Sequence, residues 1–112
     1  MKVAQLPIDW LVHSVTYVVI GEENRWGEST EEIIDVSNVR VEPTKSFSVN
    51  QQQEQVTANL VVFIDGIHSS PIPNFKVGNK IIWQGNEHVI VRVLPFNLPD
   101  SPKLHHIEVE VV

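Results

Sequence analysis

Apolar residues recur at alternate positions through most of this chain, and a period of two belongs to strands rather than helices. The pattern is cleanest where Val56, Ala58, Leu60, Val62 and Ile64 fall on one face and Thr57, Asn59 and Asp65 on the other. Val61 and Phe63 keep that second face from being wholly polar. Val12 to Ile20 is rich in β-branched residues and stops at Gly21. Ile107, Val109 and Val111 alternate with His106, Glu108 and Glu110, the signature of a half-buried strand. One strand carries a fault: Ile34 and Val36 share one parity, whereas Val39 and Val41 share the other. A β-bulge at Ser37 and Asn38 would produce that change of phase.

Ile81 to Gln84 and Glu87 to Val91, separated by Gly85 and Asn86, read as a hairpin with a two-residue Gly-Asn turn. In that register Ile82, Val89, Val91 and Val93 share one side, and Ile81, Trp83, His88 and Ile90 share the other. Both sides are apolar, so either a second layer covers the outer one or a partner does. We expect the second layer.

Strands are therefore predicted near 12–20, 33–42, 56–65, 80–84, 87–94 and 104–112, with Pro43 ending the second because it cannot donate to a ladder. Only Leu6 to Val12 hints at a helical period. The prediction is an all-β fold, one small antiparallel barrel of about six strands over residues 1–112. Between the second and third strands, Thr44 to Gln55 offers four glutamines, no Gly and no Pro. A structureless stretch of that length is usually functional or disordered. We expect a protruding, mobile loop over 44–55, with Lys45, Phe47, Asn50, Gln51, Gln52 and Gln53 as candidate contact residues. The alternative is a connector of no consequence.

The 112 residues suit one domain, and a 42% hydrophobic, 20% charged composition suits a folded one. No apolar run approaches the roughly 20 residues that span a bilayer, so no membrane partner is expected. The start lacks the apolar segment of a signal peptide. With no cysteine, disulfide and thiol chemistry are excluded. The net charge of −6, with its eight basic residues scattered, argues against general nucleic-acid binding. Acid gathers instead at Glu22, Glu23, Glu28, Glu31, Glu32 and Asp35.

No catalytic constellation is legible. His105 and His106 are adjacent, so on a regular strand they face opposite ways, and His13, His68 and His88 lie on separate elements without metal-ligand spacing. No nucleophile elbow or phosphate-binding loop is present. We therefore expect no enzyme, metal or cofactor. Aromatic residues are the better lead. Arg25 and Trp26 sit in an acidic loop, and Trp and Arg are enriched at binding hot spots. Trp26 either anchors a partner or folds back over an open barrel end. Trp83 and His88 on the hairpin are two further candidate anchors.

Leu11 to Tyr17, Arg25 to Glu28, Asn38 to Thr44, Val56 to Asn59, Phe63 to Asp65, Ser69 to Pro71, Gly85 to Ile90 and His105 to Glu110 form an ordered set over nearly the whole chain. That set resembles the minor capsid proteins of tailed phages with long non-contractile tails, the small head-completion or stopper-type proteins. The resemblance implies a β-barrel subunit of the head–tail connector, assembled in the host bacterial cytoplasm and resident in the virion. It implies contacts with connector adaptor proteins on the portal side and with tail-completion proteins, self-association into a ring, and contact with packaged DNA. It also implies that the 44–55 stretch, by its place between two barrel strands, corresponds to a loop reaching into the channel. The competing class is a small barrel module that binds nucleic acid or a host protein, which salt-dependent DNA affinity of the isolated chain would reveal.

Overall fold

The alternating valines and isoleucines become six antiparallel strands in a computed structural model that describes residues 4–23, 29–49 and 55–112. They are β1 (His13–Glu23), β2 (Ser29–Val49), β3 (Gln55–Asp65), β4 (Lys80–Trp83), β5 (Asn86–Asn97) and β6 (Leu104–Val111). The sheet closes on itself in the order β1-β2-β3-β6-β5-β4, which removes the free edges that an open sheet would present. One parity of each strand points inward. Val15, Tyr17, Val36, Val39, Val62, Ile64, Ile81, Ile90, Val109 and Val111 fill the interior. Each such aliphatic side chain contributes roughly 1.5–3 kcal/mol of transfer free energy.

The phase change in β2 is a bulge. His13 pairs with Val39 while Ser14 pairs with Ser37, leaving Asn38 as the extra residue at φ 58°. Asparagine tolerates that left-handed backbone better than most side chains. The insertion brings both Val36 and Val39 into the core. In the following hairpin Trp83 pairs with Asn86, so the turn residues are Gln84 and Gly85 rather than Gly85 and Asn86. Both have positive φ, 50° and 79°, as a type I′ turn requires, and this turn matches strand twist. The shift preserves parity, so Ile81 and Ile90 face inward as their pattern indicates. A second bulge, at Val91, then turns Val93 toward the core opposite Val109, away from the side shared by Ile82 and Val89.

No second layer covers that outer side. Val89 is 40% exposed on the barrel exterior, and the barrel's closure supplies the one buried face. Leu6 to Val12 is not a helix either. It makes a tight turn in which Trp10 N–H donates to Pro7 O and Leu11 N–H to Ile8 O.

The long connection from β3 to β4 is held by two buried polar groups. The Asp65 carboxylate accepts hydrogen bonds from the backbone N–H of Leu6, Ile67 and His68 and from the Gln5 side chain, at 2.8–3.1 Å. Gly66 is required beside it, because a Cβ there would lie 2.2 Å from Leu104 O. Farther along, the buried Tyr17 hydroxyl donates to Asn74 O and accepts from Lys76 N–H and the Asn79 side chain. Phe75 packs on the Tyr17 ring at 4.7 Å, so the connection closes over the barrel wall.

Candidate interaction surface

The stretch expected as a loop over 44–55 is largely strand. β2 continues to Val49 and β3 begins at Gln55, with Ser46, Phe47, Ser48 and Val49 paired to Ala58, Thr57, Val56 and Gln55. Pro43 does not end β2, and the reason lies in its orientation. Val41 N–H points away from β3 to the His13 imidazole nitrogen, 3.0 Å away. Pro43, two residues on, aims its nitrogen to the same side, where β1 has already ended, so no ladder bond is lost. A register shift between Pro43 and Ser46 follows.

Beyond Leu60 the two strands pair only with each other, since β6 begins its ladder with β3 at Leu60 and β1 leaves β2 at Val39. They form a two-stranded arm. The molecule measures 53 × 31 × 28 Å, and its long axis exceeds the others by about the length of six strand residues at ~3.3 Å each. At the arm's root Pro43, Thr44, Lys45 and Asn59 line an open depression of about 440 Å³, with Lys45 exposed. Asn50, Gln51, Gln52 and Gln53 lie outside the described residues, as does the Phe47 side chain.

Trp83 and His88 stand on the inward side of their hairpin. Trp83 packs against the core and meets the His13 ring nearly edge-on at 4.6 Å. His13 also receives the Val41 N–H, so this pair closes the barrel end next to the arm. His88 is half-buried, and its Nδ1 lies 3.2 Å from Val112 O, which can only accept. Arg25 and Trp26 lie outside the described residues, in the connection from β1 to β2. Because Glu23 pairs with Ser29, that connection leaves the barrel at the end opposite the arm.

The apolar second parity of β3 is covered from outside. Trp10 packs on Phe63 at 5.1 Å, and the Arg40 guanidinium stands 5.4 Å from the Trp10 ring centre while bonding Glu42. Next to it His106 stacks on Phe96 at 4.7 Å and bonds Glu108. His105 and His106 do not face apart as simple alternation requires. Their Nδ1 atoms are 2.7 Å apart. His106 pairs with Phe96 but Leu104 with Asn97, so His105 is a bulged residue whose side chain is re-aimed, its Nε2 donating to Ala4 O. Among the described residues, no group of three or more His, Asp or Glu side chains is arranged to hold a metal ion.

A paired arm, a sealed barrel and an exterior of aromatic and charged side chains are equipment for contact. Residues 7–111 match the family model described as minor capsid protein. The chain belongs to the minor capsid protein family. A relative from Lactococcus phage LL-H, named only as uncharacterized protein ORF5, is 25% identical over 81 residues, covering 70% of this chain and 69% of its own length. A phage minor capsid protein is a structural part of the virion and works through contacts with other virion proteins. The six-stranded barrel is thus the scaffold of a minor capsid protein, and the arm is its most prominent projection.

Proposed function

We propose that this minor capsid protein is a head-completion, stopper-type subunit of the head–tail connector, closing the DNA channel after packaging and supporting tail attachment. The observation that carries the reading is the arm. A two-stranded ribbon in water is marginal by itself, and this one leaves the barrel without a third strand beside it. Its sequence, from Lys45 and Phe47 through Asn50, Gln51, Gln52 and Gln53, offers amide donors and acceptors with little charge. Such a tip can meet a phosphate backbone or a neighbouring arm without gripping DNA through counterion release.

Charge supports the same role. A ring of subunits each carrying −6 repels duplex phosphates and lets DNA slide, so retention falls to a physical obstruction. In this reading adaptor proteins meet one end of the barrel ring and tail-completion proteins the other. The β1–β2 connection, with Arg25 and Trp26, supplies an anchor at the end away from the arm.

The test replaces residues 47–57 with a short Gly-Ser turn linking Ser46 to Ala58, which face each other across the ladder. The thermal midpoint should stay nearly unchanged, because the ladders that close the barrel lie outside the replaced segment. Particles should lose DNA or fail to accept tails. A variant that folds and yields filled, tailed particles in normal numbers rejects the reading. A variant that unfolds makes the arm part of the core and rejects its role as a gate.

A further inference from the structure

The barrel exterior carries two apolar patches on opposite sides. In the six-strand ring β2 and β5 stand three places apart, which is diametrically across. On the β1–β2 side Ile33 is 65% exposed and Ile20 42%, and Val18 lies between them, paired with Ile33. On the β5 side Val89 is 40% exposed and Val112 37%, joined by reciprocal backbone hydrogen bonds. Contiguous exposed apolar side chains with a polar rim mark contact surfaces.

The rims differ in charge. Glu31 and Asp35 border the first patch, with Thr16 donating to the Asp35 carboxylate at 2.8 Å. Lys80 and Arg92 border the second, each with one carboxylate partner, Glu87 at 3.3 Å and Glu110 at 3.6 Å. The Lys80 stem also bridges Val18 and Val89 across the ladder, adding apolar length to the second patch. Two copies meeting through the acidic patch would set Glu31 and Asp35 against themselves. An acidic apolar patch meeting a basic-rimmed apolar patch brings opposite charges together at the rim.

Two different patches on opposite sides of one molecule build head-to-tail contacts, which close into rings when the rotation permits. We infer that a second copy of this chain is the occupant, with the Ile20–Ile33 face of one subunit seated on the Val89–Val112 face of the next. This inference rests on the connector reading above and names the faces through which the ring is built.

The chain's lack of cysteine makes the test direct. Ile33→Cys, Val89→Cys and the double variant are treated with a flexible bis-maleimide cross-linker, in particles that incorporate the chain and in concentrated purified protein. Both positions are exposed, so thermal melting should match the parent and confirm folding. The double variant should give a ladder of multimers that is lost in either single variant. Cross-linked dimers from Ile33→Cys alone, or no ladder from the double variant in either sample, overturn the inference. Absence of the chain from particles would instead reject the connector reading, so the two failures remain distinguishable.

Discussion

Tyr17→Phe is the sharpest probe of how this barrel holds its longest described connection. The substitution removes one oxygen and leaves the ring in the core against Phe75. Three partners lose their bond: Asn74 O at 3.0 Å, Lys76 N–H at 3.0 Å and the Asn79 side-chain amide at 2.7 Å. Asn74 and Lys76 are exposed and can turn to water, so each costs about 0.5–1 kcal/mol. Asn79 is buried, and its stranded donor costs ~1–3 kcal/mol. The expected loss is about 2–4 kcal/mol. For a chain of this length each kcal/mol lowers Tm by roughly 4 °C, so the fall should be on the order of 8–16 °C. Calorimetry on the purified variant measures it, and a cycle with Asn79→Ala isolates the shared bond. Purified Tyr17→Phe melting within ~2 °C of the parent would refute the claim that this hydroxyl pins residues 74–79.

Three further outcomes are expected. Asp65→Asn should destabilise by ~2–4 kcal/mol, read by urea denaturation, because an amide NH₂ would confront the N–H groups of Ile67 and His68; an unchanged midpoint would contradict the geometry. Gly66→Ala should fold poorly, since its methyl would meet the Leu104 carbonyl, and soluble yield with circular dichroism will tell. The isolated protein should bind duplex DNA weakly even near 50 mM salt, given its charge of −6, and tight binding in a gel-shift titration would favour the nucleic-acid module instead.

Hydrophobic parity carried much of the architecture. The reversal between Val36 and Val39 exposed the bulge at Asn38, and alternation in β3 and β6 located two walls of the barrel. Parity also survived the one-residue error at the Gln84–Gly85 turn, because the true register shifts in steps that keep inward residues inward. It failed where backbone orientation decides. Pro43 reads as a stop unless one knows that its nitrogen faces an edge without a partner. The bulges at Val91 and His105 follow from ladder geometry at the barrel wall, and their local residues carry no sign of them. The Asp65 and Tyr17 networks join residues 57 or more positions apart, a separation that no local pattern can report. The family resemblance located the arm's place in the chain, whereas its pairing needed coordinates.

β2 runs unbroken for 21 residues, from Ser29 at one rim to Val49 within the arm, a contour of roughly 65–70 Å. It is therefore a single stiff member shared by barrel and projection. Load applied along its axis is carried in shear by the ladder to β1 at one end and the ladder to β3 at the other, many bonds acting in parallel. Load applied sideways at the tip falls first on the few arm pairs from Val49 and Gln55 inward, which can open one after another. The same arm is thus strong against thrust along its length and compliant to bending, and a push at its tip reaches the far rim of the barrel without passing through a joint.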